Sequence, residues 1–168
     1  MRTRLARAAD LPAVLAMNQG ELDAVGPLDD DRLQRLVDLA EQVLVADDAG
    51  AVAGFVVTLA PGTAYASPNY RWFGERYDDF CYLDRVVVAR THLRRGLGTT
   101  LYDAAEAAGS PHGQMALEVY AEPPNEVSLA FHAARGYTEV GRSTQDNGKV
   151  CAMFVKPLDR QPGCVPHQ

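Results

Sequence analysis

Hydrophobic and polar positions change period along the chain, and the changes mark its elements. Arg2 to Ala8 alternates as a short strand. Asp10 before Leu11-Pro12 predicts a helix N-cap with proline in the first turn, opening a helix to about Val25. Asp29-Asp30-Asp31 crowd acidic residues at the start of a second helix that carries Leu33, Leu36, Val37 and Ala40 on one face. Gln42 to Ala46 and Val52 to Leu59 read as a hairpin turned through Asp48-Ala49-Gly50. An irregular loop is expected from about Ala60 to Asp79, then a buried strand over Leu83 to Val88. A helix follows the glycines at 96 and 98, and a strand is expected near Met115 to Tyr120. The pattern closes with a helix from Glu126 to Ala134 and strands near Tyr137 to Gly141 and Lys149 to Lys156. No repeat or second domain is visible, so the expectation is one mixed α/β domain over residues 1–157, with 158–168 a flexible tail.

Leu83-Asp84-Arg85-Val86-Val87-Val88 suits a strand covered on both faces, and Leu101 to Ala108 suits a helix. Between them stand Leu93, Arg94, Arg95, Gly96, Leu97, Gly98 and Thr99. Two glycines one residue apart let backbone approach a ligand, and the new helix offers unpaired N–H groups at its positive end. Such a turn can hold a phosphate. Gly-x-x-x-x-Gly-Lys-Ser/Thr is absent, which leaves a nucleotide P-loop unsupported; Leu101 stands where a dinucleotide fingerprint needs its third glycine. Taken alone, a glycine pair before a helix is more often a plain tight turn.

A second motif changes those odds: Asn125-Glu126-Val127-Ser128-Leu129-Ala130-Phe131-His132-Ala133-Ala134-Arg135-Gly136-Tyr137. With both stretches in this order, the chain resembles the GNAT superfamily of acyl-CoA-dependent N-acetyltransferases from about Tyr82 to Tyr137. The resemblance implies a central mixed, mostly antiparallel, splayed sheet flanked by helices, and acetyl-CoA as cosubstrate with no metal. It implies that the turn from Leu93 to Thr99 holds the coenzyme A pyrophosphate through main-chain N–H groups. It places Asn125, Ser128, Phe131 and His132 beside the pantetheine arm, and the oxyanion-binding N–H on the strand around Val86, Val87 and Val88. Two residues depart from the family pattern. Leu93 stands where Arg or Gln is usual, with Arg94 and Arg95 just after it, and His132 stands where many relatives carry a tyrosine that protonates the departing thiolate.

Amine acetylation needs a proton removed from the ammonium, an oxyanion stabilised and a sulfur protonated. Leu117-Glu118-Val119 resembles the Leu-Glu-Val of the ribosomal-protein alanine acetyltransferases, which makes Glu118 the first candidate base; Ala121-Glu122-Pro123-Pro124 makes the link to Asn125 two residues longer than theirs. A strand-end carboxylate that is merely solvated or paired is the competing reading. Asp84 is the second candidate base, with a structural charge pair to a nearby arginine as its alternative. Tyr82 falls where some histone-acetylating relatives place their glutamate, and strand period puts it on the face of Asp84. His132 is the candidate acid, against the plainer reading of a helix-face histidine with one backbone or water contact. Tyr82 and Tyr120 are fallback acids.

Tyr65, Tyr70, Trp72, Phe73, Tyr77 and Phe80 concentrate aromatic rings just before the core strand, in a chain only 8% aromatic. Tyr70, Trp72, Phe73, Tyr77 and Tyr82 are therefore candidates to wall an acceptor cleft, or equally a satellite core that pins the loop. The net charge of −6 argues against nucleic acid as a partner and favours an amine carried by a small molecule, peptide or protein. Cys81, Cys151 and Cys164 have neither disulfide nor metal-ligand spacing. No signal segment or long apolar run is seen, so a cytoplasmic protein without membrane association is expected; a homodimer is left open. Two other classes stay in view: an acyl-CoA-binding sensor or scaffold without catalysis, and an oligomerisation module with vestigial motifs.

Overall fold

The computed structural model describes residues 1–160. Its contacts form two compact units, one made of Met1–Ala64 and Leu83–Ala108, the other of Tyr65–Tyr82 and the chain from Gly109 on. Strand β4 (Cys81–Val88) gives its first two residues to the second unit and the rest to the first. Seven strands in all form a mixed, mostly antiparallel sheet with helices between them, as the α/β reading required.

In the first unit the strand order is β1 (Arg2–Leu5), β2 (Gln42–Asp48), β3 (Ala51–Leu59) and β4. β1 and β3 both run antiparallel to β2, from Arg2↔Asp47 to Leu5↔Leu44 and from Gln42↔Thr58 to Asp48↔Ala51. β3 is buried continuously from Ala53 to Leu59, so apolar residues fill both faces. Val14 of α1 (Leu11–Gln19), Leu33 and Leu36 of α2 (Asp30–Leu39), and Leu97 and Leu101 are among the residues that complete this core. Leu97 opens α4 (Leu97–Gly109). A Cβ on Gly54 would stand 2.9 Å from the Val87 carbonyl oxygen and 3.0 Å from Leu101 Cδ1, so only glycine lets β3, β4 and α4 approach this closely.

In the second unit the order is β4, β5 (Gln114–Glu122), β7 (Val150–Pro157) and β6 (Thr138–Thr144). β4 meets β5 in parallel through Cys81↔Met115 and Tyr82↔Ala116, whereas β5–β7 and β7–β6 are antiparallel. α5 (Glu126–Ala134) begins at Asn125, whose side chain accepts the Ser128 N–H at 3.2 Å. This helix has the predicted bounds.

Four expectations need correction. The first strand ends at Leu5 rather than Ala8, because Ala8–Asp10 forms a 3₁₀ turn. Asp10 does not cap α1: its carboxylate takes both Arg4 Nη groups, at 2.7 and 3.0 Å, and the Arg7 N–H at 2.7 Å. α1 stops at Gln19, not Val25; Gly20 terminates it, and Asn18 Nδ2 turns to the Gly26 carbonyl. The expected irregular loop from Ala60 to Asp79 contains a helix, α3 (Pro68–Gly74), capped by Ser67, whose hydroxyl accepts the Tyr70 N–H. Within the segment 158–168 expected to be a tail, the Leu158 N–H donates to the Gly113 carbonyl at 2.9 Å. Positions 161–168 lie outside the described residues.

Candidate active site

The first unit carries the glycine turn. Arg94 (φ 62°) and Gly96 (φ 74°) both adopt the left-handed region, so the chain reverses sharply between Leu93 and Leu97. Leu97 is buried as the anchor of α4, while Arg94, Arg95, Gly96 and Thr99 are exposed. A Cβ built on Gly96 or Gly98 would meet no atom within 4 Å beyond its own turn of chain. The glycines are thus open toward solvent, and backbone N–H groups at the start of a 13-residue helix can be approached from outside. Turns of alternating backbone hand make such concavities for anions. Thr100 fastens the turn from within: its N–H and hydroxyl both donate to the Gly96 carbonyl, at 3.0 and 3.2 Å.

Upstream of the turn, Val86, Val87 and Val88 line an open cavity of about 440 Å³ with Glu21, Ala24, Arg90 and Leu93. Arg90 fixes one wall, donating from Nε to Glu21 at 2.9 Å and from Nη2 to the Gly20 carbonyl at 3.1 Å. His92 faces Asp48 at 3.0 Å, which holds the Asp48 carboxyl below its usual range. Asp84 takes the Arg85 Nε–H at 2.7 Å, and Arg85 also donates to the Asn18 side chain at 2.8 Å and the Gly26 carbonyl at 3.1 Å. Asp84 thus sits in a structural ion pair of the sort weighed against its role as base.

The second unit carries Glu118. Residues directly opposed in antiparallel strands share a face, and alternate residues along a strand return to it. Glu118 stands opposite Met153 and Met153 opposite Gly141; Tyr120 stands opposite Cys151 and Cys151 opposite Ser143. α3 covers that face. Its Trp72 ring lies where a Cβ on Gly141 would come within 2.6 Å, and Asn69 takes a hydrogen bond from Gln145 at 3.0 Å. The Tyr82 hydroxyl lies 2.8 Å from each Glu118 oxygen, and Tyr82 is fully buried. Burial, followed by the nearby Glu118 charge, pushes the Cys151 thiol up to about 11, which keeps it protonated and unreactive at neutral pH.

The aromatic candidates divide by burial. Tyr70 and Phe73 are buried with Phe80 and Tyr82, at ring separations of 5.4 to 6.2 Å, and form the satellite core that was the alternative reading. Tyr77 packs beside Phe73 at 6.4 Å. Trp72 is half-buried, with the Arg76 guanidinium 3.8 Å from its ring centroid.

His132 is 4% exposed and lies against Phe131, Tyr137 and Phe154. Its Nδ1–H donates to the Ser128 carbonyl at 2.6 Å. With that proton committed, a neutral ring has a bare Nε2, so only the imidazolium can donate from there. The sequence named Tyr82 and Glu118 separately and missed that they form a pair. The missing information is the β4–β5 register across 36 residues, for which no local signal exists. Among the described residues, no group of three or more His, Cys, Asp or Glu is arranged to hold a metal ion, and no helix is long and apolar enough to cross a membrane.

Comparison with known proteins gives consistent matches. The model of the acetyltransferase (GNAT) family matches residues 13–137. The phosphinothricin N-acetyltransferase of Streptomyces viridochromogenes is 34% identical over 111 residues, 66% of this chain and 54% of that protein, so the chain spans about half the length of that curated relative. Among solved structures, the ribosomal-protein-alanine N-acetyltransferase of Brucella melitensis superposes with a TM-score of 0.67 at 25% identity, covering 94% of this chain and 100% of that one. A Salmonella typhimurium protein whose structure holds its cofactor acetyl-CoA superposes with a TM-score of 0.64 at 22% identity, covering 99% and 98%.

Proposed function

Because the chain belongs to the acetyltransferase (GNAT) family, we propose that it moves an acetyl group from acetyl-CoA to a primary amine by direct attack. The observation that carries this reading is the glycine turn. Its two open glycines and its helix start fit a pyrophosphate gripped by main-chain N–H groups, and Arg94 and Arg95 add positive charge beside it. Backbone on Val86 to Val88, at the cavity wall, supplies the hydrogen bond to the oxyanion.

Glu118 is the base in this reading. It takes a proton from the substrate ammonium, the amine nitrogen bonds to the thioester carbon, and the tetrahedral adduct gives its second nitrogen proton to water as its collapse breaks the carbon–sulfur bond. His132, as imidazolium, returns a proton to the thiolate. Asp84 is held by Arg85 and is the weaker choice of base. The named relatives suggest two kinds of amine for a first panel: phosphinothricin, and peptides beginning with alanine.

The test is calorimetric titration with acetyl-CoA, followed in the same preparation by thiol release against that panel. Binding, with thiol released from acetyl-CoA in the presence of one amine class, establishes the transferase. Glu118→Gln is expected to lower turnover about 100-fold while leaving acetyl-CoA affinity within about twofold, and wild-type turnover in this variant would remove Glu118 as base. His132→Phe is expected to slow thiol release about tenfold; an unaltered rate would remove it as the acid. Binding without turnover across the panel would favour an acyl-CoA sensor.

A further inference from the structure

We propose that Tyr82 is the positioning residue for Glu118, an inference that rests on Glu118 being the base. The contact is unusual in its symmetry. One phenol oxygen stands 2.8 Å from both carboxylate oxygens, which places the O–H on the axis of the carboxylate. A phenol in this position donates its proton to the carboxylate and stabilises the ionised form that a base must keep until the ammonium arrives.

Three features make the arrangement rigid. Tyr82 is fully buried, and its ring is wedged between Tyr70 and Phe73 at 5.4 and 6.0 Å. Tyr82 and Glu118 are held in register by the parallel pairing Tyr82↔Ala116, with Glu118 two residues farther along the same face of β5. α3 closes over that face, so the phenol has little freedom to turn away from the carboxylate. A carboxylate held in one orientation by a buried donor presents its remaining lone pairs in one direction, which is what proton abstraction requires.

Other titratable groups lie around the Tyr82–Glu118 pair. Cys151 comes from β7, Lys149 precedes that strand with its Nζ 4.9 Å from the Tyr120 ring, Tyr120 belongs to β5 itself, and Tyr70 comes from α3. The Cys151 thiol is held protonated and contributes no charge at neutral pH. Tyr82 is the group among these whose hydroxyl contacts both Glu118 oxygens.

The test is Tyr82→Phe in the full chain. The substitution keeps the ring and its packing and removes only the hydroxyl. The readout is the carboxyl titration of Glu118 by carbon-13 NMR on protein labelled at glutamate, with the resonance assigned from Glu118→Gln. Loss of a hydrogen bond to the ionised form is expected to move the midpoint upward by about one pH unit. An unchanged midpoint in a folded Tyr82→Phe protein, checked by near-UV circular dichroism, overturns the proposal. If the variant fails to fold, wild-type protein carrying 3-fluorotyrosine replaces it. The fluorinated phenol is a stronger donor, so the midpoint must then fall, and a midpoint that stays put overturns the inference. The reading beneath it fails separately: wild-type turnover in Glu118→Gln with a shifted midpoint in Tyr82→Phe would show a positioned carboxylate that is not the base.

Discussion

Single side chains decide more here than their sequence context suggests, and Asp10 is the clearest case. It sits where a helix cap is expected, yet its carboxylate goes to Arg4, and that hydrogen bond holds it down to about 2. Arg4 also reaches Asp47 at 2.7 Å and holds that carboxyl below its usual range. Because the folded value lies below the ordinary value of about 3.9, the stabilisation is complete above about pH 4 and is lost as pH falls through about 2. Asp10→Asn is therefore expected to melt at a lower temperature than wild type at pH 7, with the gap narrowing as pH falls from about 4 toward 2. A gap of constant size over that window, measured by thermal unfolding in a pH series, would mean that ionisation of Asp10 contributes nothing. Candidate site residues were legible to the same uneven degree. Gly96, Gly98, Asn125 and Glu118 stood out because backbone freedom, a cap and a local tripeptide are written in neighbouring residues. The partner of Glu118 did not stand out, nor did the asparagine that holds Arg85 beside Asp84, since Tyr82–Glu118 and Arg85–Asn18 join residues 36 and 67 positions apart.

Elements were predicted best where period and punctuation agreed. The hairpin through Ala49-Gly50 formed because both residues take positive φ, at 51° and 92°, and α2 began at Asp29 because its side chain accepts the Arg32 N–H at 2.8 Å. α3 was missed although Ser67-Pro68 is a good start signal, because seven residues give too few turns for apolar periodicity to show. That helix is held partly by Trp72 against Gly141 of β6. Gly141→Ala would bring a methyl group to 2.6 Å from Trp72 Cζ2 and 2.9 Å from Cη2, so the indole must move. The expected cost is about 1–3 kcal/mol, typical of overpacking. Trp72 is the chain's one tryptophan, which makes its fluorescence a direct report on α3. A red-shifted emission with a lower urea midpoint is expected; wild-type emission and stability would show that Trp72 does not pin the helix.

At the scale of the whole molecule, the order of motifs carried what composition could not. A net charge of −6 names no family, whereas a valine-rich strand, a glycine turn and an asparagine-capped helix in that order resemble one family, and residues 13–137 match it. The division of the chain into two units, each built from separated segments, has no such signature, because it depends on which distant segments touch. Function at this scale reduces to ligand linkage. A ligand that binds only the folded state at 100 times its Kd adds about 2.7 kcal/mol, or a rise of about 5–10 °C in Tm for a chain this long. Acetyl-CoA is expected to produce such a rise in the wild-type protein and in Glu118→Gln, since that substitution leaves the glycine turn intact. Gly96→Val should lower the ligand-free Tm by a few degrees, because a β-branched residue is forced to φ 74°, and should abolish the rise by placing a side chain in the open space where backbone must be approached. A folded Gly96→Val protein that kept the full acetyl-CoA shift would remove the turn from the binding site while leaving the assignment of Glu118 untouched.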